Sequence, residues 1–347
     1  MTKHFYLNRR KLITYGGLAT ATGIVSACNN SQTSSDLQSN FTGNKTEKVV
    51  ASWLPIMQAT AYYVALEEKL FEQAGLEIES AKFENPNQII DSLVSRRADF
   101  GAPGAAAGIT VLAEAKAPGS FKVFGLQGGG IKSKFINDAL IVKPDSSITS
   151  FKDLKGKKIG TLPGVQWRTI TQYILRQNGL EPNRDVRIEQ MAVGLHLSSI
   201  ISGAVDATLS LEPVGSIAIA TKQAKRAITN PVSMFICDPF YSGAAVLTTK
   251  FIEERPEVAK KVVQVLDEAT KLANNNFDKY RSILTKYIAL KPDQVRYVEQ
   301  PRLRGFAELD TTDIDSYQKF VNVFEKEGVL KKVMNVRNLI LDKAKIA

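Results

Sequence analysis

The chain carries the same pattern twice, about 105 residues apart. Leu54-Pro55-Ile56-Met57-Gln58 returns as Leu162-Pro163-Gly164-Val165-Gln166, and Gly75-Leu76 returns as Gly179-Leu180. Ser92-Leu93-Val94-Ser95-Arg96-Arg97-Ala98-Asp99 returns as Ser199-Ile200-Ile201-Ser202-Gly203-Ala204-Val205-Asp206. The patches keep their order at a nearly constant offset. Solenoid units run to only ~50 residues, so a period this long implies two lobes of similar topology, each with its own core. Two such lobes leave a cleft between them, the usual seat of a small ligand.

Within the first copy, Val49–Trp53 is an apolar run of strand type, followed by the Leu-Pro turn and a helical pattern over 60–74 with Tyr63, Leu66 and Leu70 on one face. Gly75 stands where a helix-terminating glycine belongs. Leu76–Glu79 alternates as a strand, Ile89, Ile90, Leu93 and Val94 mark a second helix, and Ala98–Ala102 a third strand. The second copy reads the same way: strand 158–161, helix 165–177, stop at Gly179, strand 186–190, helix 197–202 and strand 207–211. Strands and helices alternating with short connections predict an α/β fold with parallel sheets. Ligands then bind beyond the carboxyl ends of the strands, where both Leu-Pro-x-x-Gln segments lie.

Ala139–Val142 reads as the passage from lobe one to lobe two, and Ser150-Phe151-Lys152-Asp153 as a capping box opening a short helix. Ala244–Thr248 reads as the return strand, with helical patterns at 251–275, 278–288, 292–297 and 313–327 packing back on lobe one. Lobe one therefore comprises residues 48–142 and 244–347, and lobe two residues 143–243.

The first residues form a targeting segment. Arg9-Arg10-Lys11 precede the apolar stretch 12–25, too short to span a bilayer stably, and no acidic residue occurs before Asp36. Val25-Ser26-Ala27-Cys28 resembles a bacterial lipobox, whose cysteine is lipidated and becomes the mature N-terminus. The paired arginines resemble a twin-arginine signal, with Asn8 and Leu12 departing from its usual residues; Sec export is the alternative. An ordinary secretory signal with an incidental cysteine would export the chain as well. Residues 28–47, rich in Ser, Thr, Asn and Gln, form a tether.

Loss of residues 1–27, which hold Lys3, Arg9, Arg10 and Lys11 and no acid, lowers the formal charge from +10 to +6. The surplus is scattered, and no nucleic-acid motif accompanies it; a mildly basic surface suits anionic ligands or a membrane surface. Cys28 and Cys237 are the only cysteines, and Cys237 reads as a small buried hydrophobe. His4 and His196 are the only histidines, so a usual zinc site is not available; His196 reads as a capping or surface residue. No Walker loop, nucleotide fingerprint or nucleophile elbow occurs, and Gly128-Gly129-Gly130 reads as a flexible turn beside the cleft. Nothing in the chain calls for catalysis or a cofactor.

Candidate ligand contacts come from the loops that begin helices, where free N–H groups and the positive helix end attract anions. They are Trp53, Gln58, Tyr62, Pro103, Gly104, Gln127, Gly164, Gln166, Trp167, Arg168 and Glu212. Arg168 offers a planar fork of donors for an oxyanion. Gln58 and Gln166 hold equivalent places in the two copies, and each either meets the ligand or caps its own turn. Glu212 is read either as a partner for a ligand amine or as a clasp between closed lobes.

The residues at 62–71 with Gly75-Leu76, Ala98-Asp99-Phe100-Gly101, Leu154-Lys155-Gly156-Lys157-Lys158-Ile159-Gly160, Gly203-Ala204-Val205-Asp206-Ala207 and Glu212-Pro213 together carry a resemblance. The chain resembles the substrate-binding proteins of nitrate/sulfonate/taurine-type ABC importers, in the superfamily that includes thiamine-pyrimidine-precursor binders. The resemblance covers roughly residues 48–330. It implies a two-lobed periplasmic-binding-protein fold of type II with two hinge strands, a small solute in the cleft and a membrane permease as partner; with the lipobox-like segment, the expectation is a monomeric lipoprotein outside the cytoplasm. It places ligand loops at 53–58, 101–104, 164–168 and at Glu212. At Val165-Gln166-Trp167-Arg168 many members carry small residues and a histidine, which leaves the solute open. The same superfamily holds fungal enzymes that build the thiamine pyrimidine from pyridoxal phosphate and their own histidine. Export and the scarcity of cysteine argue against that activity here.

If Cys28 carries lipid, diacylglycerol plus an amide-linked chain exceeds the two-signal threshold for stable anchoring. Cys28→Ala should then move the protein from the carbonate-washed membrane pellet to the soluble exported fraction; an unchanged pellet fraction refutes the anchor.

Overall fold

A computed structural model describes residues 46–332 and 334–345. The expected signal, the tether and Cys28 lie outside the described residues. Strands β1 (Glu47–Trp53), β2 (Leu76–Lys82), β3 (Phe100–Ala106) and β4 (Phe121–Gly129) are followed by β5 (Asp138–Val142), β6 (Lys158–Thr161), β7 (Arg187–Gln190), β8 (Ala207–Leu211), β9 (Lys225–Thr229), β10 (Phe240–Thr248) and β11 (Arg302–Arg304). Before β10 the chain interleaves helices α1 (Thr60–Glu67), α2 (Leu70–Gln73), α3 (Pro86–Val94), α4 (Ala107–Lys116), α5 (Val165–Gln177), α6 (His196–Ser202), α7 (Val214–Ala220) and α8 (Pro231–Phe235). After β10 come α9 (Thr249–Glu254), α10 (Pro256–Asn275), α11 (Phe277–Tyr280), α12 (Leu284–Tyr287) and α13 (Thr311–Lys326).

Two mixed sheets result, in the orders β11-β4-β10-β3-β1-β2 and β7-β6-β8-β5-β9. The repeated segments occupy equivalent places in them. β1 lies between β2 and β3, all parallel, as β6 lies between β7 and β8. In each sheet the next strand is antiparallel and arrives by crossover: β10 joins sheet one beside β3 and β4, and β5 joins sheet two beside β8 and β9. These exchanged strands are the hinge. Asp138–Val142 thus belongs to lobe two, pairing with β8 and β9, and Phe240–Val246 belongs to lobe one. The expected boundaries at 142/143 and 243/244 move to the links 130–137 and 236–239. A short apolar run such as 139–142 reveals burial but not its sheet, which its hydrogen-bonded neighbours decide.

Helix breaks explain the other departures. The pattern over 60–74 splits because Lys69 adopts a left-handed conformation (φ 55°), ending α1 before α2. The 251–275 pattern splits at Arg255, ahead of Pro256, which starts α10. Gly75 (φ 73°) and Gly179 (φ 75°) hold the helix-ending geometry that only glycine adopts cheaply. Ser150 and Asp153 form the expected capping box.

Sheet one is covered on one face by α1 and α10, around Tyr62, Tyr63, Phe71, Phe100 and Val262. A second core joins the lobes behind the cleft, running from Leu93 and Ile109 through Trp167, Phe240, Phe320 and Phe324 to Ile170, Ile174 and Leu209. Cys237 is buried within it, and burial pushes its thiol up to about 12, consistent with a small hydrophobe.

Gly128-Gly129-Gly130 is no flexible turn. Gly128 and Gly129 end β4 and are buried against β10. A Cβ at Gly128 would overlap the Phe240 carbonyl, so the strand ends at a backbone approach only glycine permits. Gly128→Ala should lower unfolding stability by about 3 kcal/mol. Gly194→Ala, whose Cβ would meet open space, should be nearly neutral; urea unfolding of both variants makes the comparison.

Candidate functional site

A cavity of ≈ 860 Å³ lies between the lobes. Both Leu-Pro turns line it, Leu54-Pro55-Ile56 from the end of β1 and Leu162-Pro163 from the end of β6. Lobe two adds Gln166 and Trp167, the loop 192–195 with Leu197, and Leu211–Val214 with Ile217. Lobe one adds Gly104, Ala106, Lys82, Glu84 and residues 286–289 with Lys291, and the hinge strand β10 adds Ser242. Every contributing loop follows the carboxyl end of a strand or belongs to the C-terminal helical cover, as a doubly wound sheet requires. The wall is predominantly aliphatic and aromatic.

Of the expected contacts, Gly104, Gln166, Trp167 and Glu212 line the cavity. Trp167 is 3 % exposed and meets Phe240 edge-on, with ring centroids 6.3 Å apart. Gln166 spans the lobes. Its Oε1 accepts from the Gly108 N–H at the start of α4 (2.6 Å), and its Nε2 donates to the Ser242 carbonyl (3.0 Å). Glu212 is neither a free partner for an amine nor a clasp between lobes. Arg226 donates to its Oε1 at 2.7 Å, and Ser216 donates to its Oε2 from the backbone N–H and the hydroxyl, all within lobe two.

The remaining expected contacts do not line the cavity. Trp53 and Tyr62 are core residues in an aromatic cluster with Tyr63 and Tyr287. Tyr62 bonds Ser80, and burial pushes its phenol up to about 12. Strand alternation turns Trp53 to the helix-covered face while its neighbour Leu54 reaches the cavity. Pro103 is buried inside β3. Gln127 acts one step back, its Oε1 accepting from the Gly104 N–H at 2.9 Å. Gln58 donates to Asn137 Oδ1 at 2.8 Å, so it ties lobe one to the hinge. Gly164 supplies the positive φ (101°) from which α5 starts. Arg168 is exposed, and the anion-receiving role expected of it has no geometric support. A helix advances about 100° per residue, so Arg168 lies about 200° round α5 from the buried Gln166, on the solvent side.

Sequence reading missed three groups. The 192–197 loop and the 286–291 segment supply much of the wall, yet no turn motif distinguishes them. Asn137 is wholly buried in the first crossover. It accepts from Gln58 and, at 3.0 Å, from the Ser242 hydroxyl, and its own N–H reaches Asn230 Oδ1 at 2.9 Å.

His196 is a core residue rather than a cap or surface group. It lies between Leu195 and Leu197 of the wall, with Nδ1 2.7 Å from Ser210 Oγ and Nε2 3.1 Å from the Met191 carbonyl. Burial lowers its pKa from 6.5 to about 4 and keeps the ring neutral at pH 7. Asp138, wholly buried beside Glu212, is raised by burial from 3.8 to about 6.

With this geometry in place, the comparisons with known proteins are decisive for the family. A family model described as NMT1/THI5 like matches residues 56–279. The chain belongs to the NMT1/THI5-like family. It is 28% identical over 211 residues to a "Putative aliphatic sulfonates-binding protein" of Bacillus subtilis, covering 61% of this chain but only 60% of that relative's length. It is 23% identical over 237 residues to a 4-amino-5-hydroxymethyl-2-methylpyrimidine phosphate synthase of Saccharomyces cerevisiae, covering 65% of this chain and 66% of that one. The solved alkanesulfonate-binding protein of Xanthomonas axonopodis pv. citri, bound to MOPS, superposes with a TM-score of 0.68 at 17% identity, over 86% of this chain and 99% of that chain. That likeness establishes the two-lobed periplasmic-binding-protein fold for this NMT1/THI5-like chain.

The two buried groups titrate with opposite effect. The depressed His196 pKa contributes stability that is present above about pH 6.5 and is lost as pH falls toward 4. The raised Asp138 pKa contributes stability that is present below about pH 3.8 and is lost as pH rises through 6. Each spans on the order of 3 kcal/mol, so between pH 4 and 6 the two slopes largely cancel. His196→Gln should leave stability falling as pH rises through this window, and Asp138→Asn should leave it rising. Urea unfolding at pH 4.5, 5.5 and 6.5 checks both signs.

Proposed function

We propose that the protein is the solute-binding component of an ABC importer. It captures a small anionic solute of the sulfonate, taurine or nitrate kind between its lobes and delivers it to a membrane permease outside the cytoplasm, as an anchored monomer. The interlobe cavity carries this reading: the two copies of the repeat contribute equivalent turns to one site between the lobes, as a protein that closes around a solute requires. Family membership and the sulfonate-binding relative support the solute class.

The pyrimidine-synthase relative favours a second reading, a binder of a thiamine pyrimidine precursor or an enzyme using pyridoxal phosphate. The enzyme needs a histidine and a lysine facing the cofactor. His196 has both ring nitrogens engaged, and the cavity lysines 82, 286 and 291 are exposed at its edge. The binding reading therefore stands ahead of the enzyme.

Thermal-shift screening of the purified full chain separates these possibilities. A true ligand at a hundred times its Kd adds about 2.7 kcal/mol, roughly 5 °C in Tm. Alkanesulfonates, taurine or nitrate should produce that shift. A shift with the aminopyrimidine alone, or an aldimine absorbance band with pyridoxal phosphate, moves the second reading ahead.

A further inference from the structure

The solute's charge and its body have separate seats in this cavity. The polar side chains of the inner wall are already engaged by protein: Gln166 by Gly108 and Ser242, and Glu212 by Arg226 and Ser216. Between them the wall is Leu54, Ile56, Leu162, Trp167, Leu211 and Val214. The inner wall therefore offers apolar area and no uncompensated cation. The lining cations Lys82, Lys286 and Lys291 are exposed, where the cavity meets solvent on the lobe-one side.

These lysines differ in what already holds them. Lys286 is bonded to Glu67 Oε2 at 2.6 Å, and Lys82 lies 3.5 Å from an exposed Glu84 carboxylate. Among the described residues Lys291 has no carboxylate partner. The cation freest to meet a ligand is thus Lys291, with Lys82 second. The cavity is also large for an ion the size of nitrate, which would leave the apolar wall wet; a volume of this order suits a drug-sized molecule.

We infer that the preferred solute is an amphipathic anion, its branched, long-chain or aromatic body against the apolar lobe-two wall and its sulfonate or carboxylate head at the cavity edge on Lys291 and Lys82. The inference rests on the anion-binding reading above and adds the orientation and the head-group residues. The rival seat for the head is the first turn of α5, whose free N–H groups lie beside Leu162, Pro163 and Trp167 and carry no formal charge.

Calorimetric titration of the full chain at low salt with 1-octanesulfonate, 1-butanesulfonate and 1-octanol tests it. Each buried methylene is worth about fourfold in Kd, so octanesulfonate, with its longer chain, should bind roughly two-hundredfold tighter than butanesulfonate. Octanol should bind more weakly than octanesulfonate. In the double variant Lys82→Gln/Lys291→Gln, octanesulfonate should weaken about fivefold or more while octanol is unchanged, and added salt should reproduce the loss in the wild type. Arg168→Ala should stay within threefold. Equal affinity for the two sulfonates, for octanol and octanesulfonate, or for wild type and lysine variant would overturn the inference; the last, with chain-length dependence intact, would put the head at α5. If no sulfonate binds and only the uncharged pyrimidine does, the anion reading itself fails.

Discussion

A single wholly buried amide, Asn137, holds the junction of the two lobes. It sits in the first crossover, receives hydrogen bonds from Gln58 of lobe one and Ser242 of the returning strand, and donates to Asp138 at the start of lobe two's antiparallel strand. Its backbone is tied to Asn230, which in turn donates to the Phe135 carbonyl. The Asn137 carboxamide has both ends engaged and meets both crossovers at one point, although Gln58 Oε1 beside it is buried without a hydrogen-bond partner. Much of the cavity wall is positioned from there, because β5 and β10 register the two sheets on which most of the lining loops stand.

Gln166 extends the junction into the cavity. It bonds the start of α4 in lobe one and the hinge carbonyl of Ser242, yet it is part of the wall. Trp167 beside it meets Phe240, which meets Phe320, which meets Phe324, an edge-to-face series from the wall into the core behind the cleft. Gln166 and Trp167 therefore belong both to the cavity wall and to the contacts that join the lobes.

Much of this was legible in the chain. The strands at 158–161 and 207–211 and the helix at 165–177 lie where hydrophobic period and glycine stops put them, because their signals are local. The turns at Leu54-Pro55 and Leu162-Pro163 were legible as cleft walls, because proline and position after a strand confine them. The lobe boundary was not, because a strand's sheet is a long-range property. The site residues fared unevenly for the same reason. Aromatic and cationic residues near a strand end look equally fit for ligand or core, and only the face decides: Trp167 reached the cavity, Trp53 and Tyr62 entered the core, and Arg168 stayed in solvent. His196 gave no warning of burial, since its partners, Ser210 and the Met191 carbonyl, belong to a different strand and turn.

The repeat explains why the glutamines behave alike although only one touches the cavity. In each copy the Leu-Pro turn is the wall, and the glutamine three residues beyond its proline is a tie to the opposite half of the hinge. Gln58 reaches Asn137 and Gln166 reaches Ser242, while Ser242 itself donates to Asn137, so the two ties meet on one pair of residues. A duplicated α/β unit needs such a meeting point. This meeting point adds to the apolar core behind the cleft in fixing the mutual angle of the lobes, and with it the shape of the volume between them. The shape of the predominantly apolar wall is thus held in part by buried amides behind it.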